Sequence, residues 1–432
     1  ALLAGWLWGV ILWGLTLLFL AVSAAPAGAQ IRKNIGRNDV IILGGGDLDY
    51  PQEEIVIHFR ETHVPGFQAS HLPKFYIASK NNRFLLGIGG FVSFRTAYDF
   101  RGEVQNLDFV TYDIPTVSTP GNRQRFLMDA STSRLFFKAI ANTDLLGRVV
   151  TYIETDFRGY HNNLRLRKAY ITFKGLLFGQ DVTTFCDLNA APTTIDFQGP
   201  NSYNFNFALM ARYTHVFDEH WSLAAALEMP DVSATYSSTT EAIPQRLPDL
   251  PFYVQYSWKN NSHVRASAVF RDLMYQDSYD NKRRSKFGWG VQATTNIQFI
   301  PELSGFGQFV YGKGIAEYIQ DVSGVGLDLV PKENSRGRLR ALPMFGWFAG
   351  LQYNFTEDLF CSGTYGMVRV QDQDARYNPD GYRNAQYIVG NVFYNIIPSC
   401  TVGIEYLHGT RRNANMAHGY ANRIQAMIKY NF

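Results

Sequence analysis

Three side chains that could take part in acid–base chemistry occupy alternate positions: Tyr152, Glu154 and Asp156. On one face of a β-strand, the two carboxylates would lie about 6.5–7 Å apart. Paired carboxylates at a comparable separation act as acid and base, or as acid and nucleophile, in glycosidases. Arg134 and Arg148 belong to the same region, and arginines beside carboxylates more often form structural ion pairs. We therefore interpret this set as an ion-pair network.

No other set of residues indicates catalysis or metal binding. The nine histidines show no metal-ligand spacing on a common strand face. No Ser-His-Asp set can be assembled from the sequence. Three cysteines cannot pair without a remainder, so no disulfide framework is implied. We expect no catalytic residues, no metal and no cofactor.

The composition indicates strands with one apolar face and one hydrated face. Lys plus Arg number 40 and Asp plus Glu number 37, a near balance that argues against a nucleic-acid partner. Aromatic residues reach 15% while charged residues are only 18%. The mean hydropathy of −0.15 is nevertheless too polar for a bundle of membrane helices.

The start of the chain, residues 1–29, is predicted to be a secretory signal peptide. An uncharged apolar run from Leu2 to Val22 is followed by Ala27-Gly28-Ala29, a small-residue cleavage site. The alternative is a membrane anchor, because the run approaches the roughly 20 residues that span a bilayer. Residues 30–83 are expected to be an irregular periplasmic segment before the main domain, partly inside it, with one short strand at Ile55-Val56-Ile57.

From Phe84 onward the apolar residues alternate with a period of two, which is typical of β-strands. In Phe287–Phe299, aromatic and aliphatic residues occupy one face and Gly, Gln, Thr and Asn occupy the other. Short connections alternate with long ones, as in outer-membrane barrels with short periplasmic turns and long external loops. The pattern predicts an all-β fold, a transmembrane antiparallel β-barrel of sixteen strands over residues 84–432. One predicted strand is Ser304–Ile319, and one predicted long loop covers 274–285.

The end of the chain carries the sharpest single signal. Ile424, Ala426, Ile428, Tyr430 and Phe432 alternate up to a terminal aromatic residue. An amphipathic last strand that ends in Phe is typical of chains recognised by the bacterial barrel-assembly machinery. We expect that machinery to be a partner through Phe432.

Charged side chains on the strands must face the lumen, because Arg or Lys facing lipid at mid-membrane costs about 2–4 kcal/mol. By parity this places twelve basic and four acidic residues inside: Arg95, Arg134, Lys138, Arg148, Arg158, Arg212, Lys259, Arg265, Arg271, Lys286, Arg423 and Lys429, with Glu154, Asp156, Glu228 and Glu405. Such a lumen would be positive and would attract anions. The alternative is that some of these residues lie at the rims, where they are solvated and unselective.

The connection from Val182 to Asn204 mixes apolar and polar residues too evenly for a solvated loop. We expect it to fold into the lumen as a constriction loop that carries Phe185, Asp187, Asp196 and Phe197; an ordinary external loop is the alternative. In the lumen, Asp187 or Asp196 should approach the basic wall.

Several short motifs resemble those of the DcaP-like outer-membrane porins in order and spacing. They are Ser133-Arg134-Leu135, Tyr152-Ile153-Glu154-Thr155-Asp156-Phe157, Leu164-Arg165-Leu166-Arg167-Lys168-Ala169-Tyr170, Leu177-Phe178-Gly179-Gln180 and Thr194-Ile195-Asp196-Phe197-Gln198-Gly199-Pro200. The resemblance is dense over residues 84–205 and only architectural beyond them. It implies a homotrimer of sixteen-stranded barrels with an inward-folded loop, and passive uptake of small anions such as dicarboxylates.

These observations together predict an outer-membrane porin for small hydrophilic anionic solutes, surrounded by outer-membrane lipid and lipopolysaccharide. The pore-lining residues would be Arg95, Arg134, Arg148, Glu154, Asp156, Arg212, Arg265, Arg271, Arg423 and Lys429. The alternatives are a non-conducting barrel that acts as an adhesin or structural protein, and a barrel hydrolase. Cys361 and Cys400 should be free thiols, because one strand separates them and a disulfide needs Cα atoms within about 7 Å.

Overall fold

The computed structural model describes residues 41–43, 52–79, 81, 83–102, 104, 107–117, 119–259, 262–372 and 378–432. The predicted signal peptide, residues 1–29, lies outside them. Within the described part, no helix is long and apolar enough to cross a bilayer.

The described residues form one α-helix and 22 β-strands. Helix α1 is Gln52–Glu61, and the strands are β1 Ile41–Leu43, β2 Phe75–Ala78, β3 Phe84–Arg101, β4 Arg125–Asp129, β5 Arg134–Thr143, β6 Gly147–Asp156, β7 Arg165–Phe173, β8 Leu176–Val182, β9 Phe207–Val216, β10 Trp221–Glu228, β11 Thr240–Ala242, β12 Leu250–Ser257, β13 His263–Asp277, β14 Lys282–Ile300, β15 Leu303–Lys313, β16 Leu329–Pro331, β17 Leu339–Ala341, β18 Pro343–Asn354, β19 Leu359–Val370, β20 Tyr382–Ile397, β21 Cys400–Asn413 and β22 His418–Asn431.

Sixteen of these strands, namely β3, β5–β10, β12–β15 and β18–β22, form a closed antiparallel barrel. The last strand closes it against the first, with Ile424 opposite Tyr98 and Asn431 opposite Phe91. Beyond the last pair, Phe432 and Gly90 exchange two backbone hydrogen bonds of 3.0 Å. The predicted fold class and strand number are confirmed. No edge is left open, as a barrel in lipid requires.

The two faces of the wall are inverted relative to a soluble protein. On β14, Phe287 and Val291 are 66% and 45% exposed on the outside, while Gln292 and Thr294 are 4% exposed on the inside. Alternation along a strand produces this pattern because successive side chains point to opposite faces. The outer surface is therefore the apolar one, and the polar residues are enclosed.

Two predicted boundaries are wrong. The strand predicted over Ser304–Ile319 ends at Lys313, and the chain then turns through short 3₁₀ segments into a loop of residues 314–342. The loop predicted over 274–285 is mostly strand, because β13 and β14 remain paired up to Asp277 and Lys282. Alternation detects strands but does not show where pairing to the neighbour stops.

The lumen is filled at the end of the barrel that carries the long connections, here called the loop end. The connection from β8 to β9, residues 183–206, folds inward and is called the constriction loop. The 314–342 loop packs on it, with the amide of Phe205 donating to the carbonyl of Tyr318 at 3.0 Å. Phe185, Val310 and Ile319 are fully buried between these elements. The prediction of an inward-folded loop is confirmed by this packing.

The opposite end, called the turn end, holds the helix. Ile55 and Phe59 are fully buried, and the Phe59 ring meets Tyr76 at 4.9 Å between centroids. The predicted strand at Ile55-Val56-Ile57 is wrong, because this stretch lies within α1. The i, i+4 spacing of Ile55 and Phe59 gives the helix one apolar face, which a three-residue apolar run does not reveal.

Candidate functional site

The constriction loop is fastened to the wall through Asp187. This fully buried carboxylate accepts hydrogen bonds from His263 Nε2 at 2.8 Å and Thr294 Oγ1 at 2.5 Å. The Arg265 guanidinium lies 3.6 Å away. Burial alone would raise the pKa of Asp187, but the Arg265 charge and the His263 hydrogen bond hold it well below its usual range. Asp187 therefore remains ionised and ties the loop to a basic side chain.

Asp196 fastens the other half of the loop in a different way. It accepts hydrogen bonds from the Phe109 amide at 3.0 Å and the Tyr387 hydroxyl at 2.9 Å. Glu405 in turn accepts the Asp196 amide at 2.8 Å. Burial, followed by the charges of Asp108 and Glu405, raises the pKa of Asp196 to about 7. Asp196 thus lies beside carboxylates and hydroxyls, not against the basic wall.

The two loop aromatics have different roles. Phe185 is fully buried and packs edge-on against Tyr318, with centroids 5.5 Å apart. Phe197 instead lies under two guanidinium groups, Arg158 at 4.7 Å and Arg167 at 5.2 Å from its centroid. Cation–π contacts of this kind hold cations next to an apolar surface. Phe185 is therefore a core residue, whereas Phe197 is in contact with cations.

Two large cavities lie on either side of the constriction loop. The turn-side cavity has a volume of about 410 Å³ and includes Phe91, Arg95 and Lys429 in its lining. The loop-side cavity has a volume of about 220 Å³ and includes Arg158, Arg165 and Arg167 in its lining. Phe197 lines both. The loop thus separates two polar spaces whose walls carry basic side chains.

Glu154 and Asp156 are the centre of an ion-pair network on β5–β7. Glu154 pairs with Arg167 at 2.9 Å and with Arg134 at 3.6 Å. Asp156 pairs with Arg165 at 2.6 Å and with Arg167 at 3.0 Å. All the carboxylate oxygens of this pair face guanidinium groups at these distances, so neither side chain is presented as a free acid or base.

The remaining predicted pore-lining residues are placed as follows. Arg95 pairs with Asp129 at 2.8 Å, Arg212 with Asp181 at 2.8 Å, and Arg148 with Glu61 of α1 at 2.8 Å. Arg271 pairs with Asp249 and Asp328, and Arg423 pairs with Asp99. Arg95 and Lys429 line the turn-side cavity, and Arg134 and Glu154 line a smaller space of about 50 Å³.

Three of these placements depart from the expectation, those of Asp156, Arg271 and Arg423, and the side chain of Asp156 is 0% exposed within its ion-pair network. Arg271 and Arg423 have side chains that are 0% exposed, so they do not line open water. Loop backbone covers each of them, since Arg271 donates to the Gly314 carbonyl and Arg423 to the Leu107 carbonyl. Parity correctly indicates that they point inward, but the folded loops bury them.

The sequence analysis missed Arg165, Arg167 and Lys168. A β-bulge in the pairing of β6 with β7 inserts one residue, so that Glu154 faces Lys168 while Thr155 faces Leu166. Both Arg167 and Lys168 therefore reach the interior, although they are adjacent in the sequence. Two consecutive basic residues within an alternating strand are the signal that could have indicated the bulge.

One unpaired cation stands out on the wall of the turn-side cavity. Lys429 Nζ lies 5.4 Å from the centroid of Phe91 and forms no ion pair with a carboxylate among the residues that the structure describes. Arg134 lies over the same ring at 5.0 Å. The nearby His71 adds little charge, because burial and the Lys429 charge lower its pKa to about 4.

Solved structures similar to this chain are outer-membrane channels. The crystal structure of the outer membrane channel DcaP of Acinetobacter baumannii is 22% identical, covers 81% of this chain and 97% of its own, and has a TM-score of 0.71. An anion-selective porin from Comamonas acidovorans is 11% identical, with coverages of 81% and 100% and a TM-score of 0.53. An OmpT of Vibrio cholerae in a trimer form is 12% identical, with coverages of 81% and 99% and a TM-score of 0.50.

At these identities the structural matches show the fold alone. No protein of curated function matches the chain. The model of one protein family, however, matches residues 79–432, which include every strand of the barrel. The chain therefore belongs to the DcaP outer membrane protein family.

Proposed function

We propose that this protein is a diffusion porin through which small hydrophilic anions cross the outer membrane. The observation that carries the proposal is the charge of the cavity walls. Within the described residues, eight basic side chains line the three cavities against two carboxylates: Arg95, Arg134, Lys138, Arg158, Arg165, Arg167, Lys168 and Lys429, with Asp108 and Glu154.

Further carboxylates behind these walls offset part of the charge. Asp129, Asp156 and Asp181 each pair with a basic lining residue. Lys138 and Lys429 form no ion pair within the described residues, and Lys138 instead donates to the Thr62 carbonyl at 2.6 Å. The excess is therefore positive, and a charged cleft with low-dielectric walls concentrates ions of the opposite sign.

The test of this proposal is the reversal potential of the purified protein in planar bilayers under a KCl gradient. We expect the sign of the reversal potential to show that chloride permeates more readily than potassium. A cation-selective channel would refute the anion proposal. A folded barrel without conductance would favour the alternative of a non-conducting adhesin or structural barrel.

Single charge removals sharpen this test. Lys429→Gln and Arg165→Gln, one on each side of the constriction loop, should each lower the chloride-to-potassium permeability ratio. Lys174→Gln is the matched control, because Lys174 is exposed in a turn, where its ammonium group donates to the Leu145 carbonyl at 2.9 Å. An unchanged ratio in both lumen variants would contradict the proposed role of the wall charge.

We further propose that the protein is a homotrimer. The barrel wall is low from β7 to β12, where the barrel strands have only 7 to 10 residues, whereas β14 has 19. A tilted strand needs about 9–11 residues to cross the hydrocarbon core. The outward side chains Ile171 and Phe178 are each 45% exposed there. A low, apolar side is better covered by another copy of the chain than by lipid, and the trimeric form of a similar porin supports this arrangement.

The route to the membrane completes the proposal. Residues 1–29 would direct export, Phe432 would engage the barrel-assembly machinery, and the apolar outer face would contact outer-membrane lipid and lipopolysaccharide. We propose no catalytic activity, because the one carboxylate pair with a suitable spacing, Glu154 and Asp156, is bound by arginines.

A further inference from the structure

The chain between α1 and β2 runs through the lumen. This stretch, residues 62–73, is called the inner segment, and it precedes the residues matched by the family model. Phe67 and Gln68 of the inner segment line all three cavities: the turn-side cavity, the loop-side cavity and the smaller one behind the segment. The two residues therefore lie where the spaces on both sides of the constriction loop meet.

The inner segment is attached to the wall by two backbone carbonyls and one side chain. Arg134 donates to the Gln68 carbonyl at 2.5 Å, and Lys138 donates to the Thr62 carbonyl at 2.6 Å. Ser70 Oγ donates to Glu154 at 3.0 Å. The partners of the inner segment on the wall are thus Arg134, Lys138 and Glu154. The segment is therefore fixed to the basic wall.

The segment is also fixed to the constriction loop. The Phe67 amide donates to the Leu188 carbonyl at 2.6 Å, and the Gln68 side-chain amide donates to the Thr194 carbonyl at 3.4 Å. The Phe67 ring meets Tyr203 edge-on, with centroids 5.3 Å apart. The loop and the inner segment are thus one packed unit that spans the lumen.

Two glycines allow this close approach. At Gly199, which has a φ of +73°, a Cβ atom would lie 2.6 Å from the Phe67 ring. At Gly66, with a φ of +146°, a Cβ would lie 2.6 Å from the Leu188 side chain. Gln68 itself has a φ of +56°, a left-handed conformation that a non-glycine residue adopts at an energetic cost. The surrounding contacts hold Gln68 in this conformation, which points to a function for its position.

We infer that Phe67 and Gln68 are specificity-determining residues of the channel: together with Phe197 they bound its narrowest cross-section and set the largest solute that passes. The inference rests on the proposed diffusion function. It concerns the size limit of the channel, which neutral side chains define, and not its charge selectivity, which the basic wall defines.

The first experiment measures the size limit with Phe67→Ala in the full-length protein. Single-channel conductance is recorded in the presence of poly(ethylene glycol)s of graded size, and the smallest excluded polymer gives the cut-off. We expect a larger cut-off and a higher conductance, because the ring no longer narrows the passage, with an unchanged permeability ratio. The matched control is Phe306→Ala, because Phe306 lines only the wide turn-side cavity.

The second experiment places a thiol at the constriction with Gln68→Cys. A negatively charged methanethiosulfonate reagent is added to either side of the bilayer, and we expect it to reduce the current from both sides. The unsubstituted protein is the control. Its Cys186 is buried, and its Cys361 and Cys400 face away from the lumen because they alternate with the inward residues of their strands. A reagent-treated Phe306→Cys channel should lose little current.

The outcomes separate the two proposals. A wild-type protein that does not conduct refutes the diffusion function. A conducting wild type whose cut-off is unchanged by Phe67→Ala and whose Gln68→Cys variant is unaffected by the reagent refutes the inference alone. Phe67→Leu, which retains an apolar side chain, guards against misfolding of the alanine variant: it should fold normally and show an intermediate cut-off. A Leu cut-off equal to that of the wild type contradicts the inference.

Discussion

Buried carboxylates with different neighbours hold the constriction loop at two positions, Asp187 near its start and Asp196 in its middle. Asp187 is ionised beside Arg265 and His263, whereas Asp196 lies between Glu405 and the Tyr387 hydroxyl. Asp187 anchors the loop as a carboxylate, through charge-assisted hydrogen bonds. Asp196 anchors it in the protonated form. The two attachment points, Asp187 and Asp196, should therefore respond differently to mutation and to pH.

Asp187→Asn should loosen the loop, because it leaves Arg265 and His263 buried without their carboxylate. Breaking a buried ion pair by removing one partner typically costs about 3–5 kcal/mol. We expect a lower temperature of thermal unfolding and more frequent current fluctuations in single-channel records.

The control for this change is Asp280→Asn. Asp280 pairs with Arg284 at 2.6 Å but is 38% exposed, and exposed pairs contribute only about 0–1 kcal/mol. Equal thermal shifts in the two variants would mean that Asp187 is not an anchor.

The current through the channel should become noisier as the pH rises toward and above neutrality. Because the pKa of Asp196 is raised, the folded protein keeps the Asp196 proton between pH 3.8 and about 7. The unfolded chain has already released this proton in the same pH range. The stability contributed by this proton is complete at low pH and is lost as the pH rises through the folded-state pKa. Above it, ionised Asp196 faces Asp108 and Glu405.

Asp196→Asn should remove this pH dependence, since the amide cannot ionise. Single-channel noise measured over a pH series in both proteins makes the comparison. A pH response that persists unchanged in Asp196→Asn would assign it to another group.

At the scale of elements, the last strand closes the barrel, and we propose that its terminal residue is also recognised during assembly. The backbone of Phe432 exchanges two hydrogen bonds with Gly90, both of 3.0 Å, and these survive any side-chain substitution. The aromatic side chain itself is therefore available for recognition during assembly. This separates the contribution of the side chain from that of barrel closure.

Phe432→Asp should sharply reduce the amount of barrel in the outer membrane while export continues. The measurement is the fraction of heat-modifiable protein in isolated outer membranes, compared with the fraction that accumulates in the periplasm. Phe299→Ala is the control, because Phe299 is an outward aromatic at the same end of the barrel and is 57% exposed. Normal membrane levels of Phe432→Asp would contradict the assembly role.

At the scale of the whole molecule, the height of the wall differs between the two sides of the barrel. β7 and β8 belong to the low side, and the tall side contains β13 and β14, with 15 and 19 residues. Apolar side chains cover both sides, with Phe178 and Val291 each 45% exposed. If the low side is the subunit contact, equal substitutions on the two sides should have different consequences.

Phe178→Arg on the low side should yield folded monomers. Val291→Arg on the tall side should reduce membrane insertion, at a cost of about 2–4 kcal/mol for a basic residue facing lipid at mid-membrane. Size-exclusion chromatography with light scattering reports the oligomeric state, and heat-modifiable mobility reports folding. Trimers that persist in Phe178→Arg would place the subunit contact elsewhere.

The sequence alone determined the architecture of the wall. Alternation such as that of Phe287–Phe299 depends only on neighbouring residues, because successive side chains in a strand point to opposite faces. The pattern therefore predicted the strands, their number and the inward direction of Arg134 or Arg423 without any knowledge of the tertiary structure. Cys361 and Cys400, free in the structure as expected, follow from the same strand order.

What fills the barrel was decided by the tertiary structure. Whether Arg423 lines water or is buried depends on Val104 and Leu107, whose carbonyls accept its hydrogen bonds from a distant part of the chain, and parity contains no information on loops. The bulge that turns both Arg167 and Lys168 inward depends on pairing between two strands. The position of Phe67 and Gln68 depends on contacts with Leu188 and Arg134. Such long-range packing is not encoded in any local periodicity, so the constriction could be recognised only in the folded molecule.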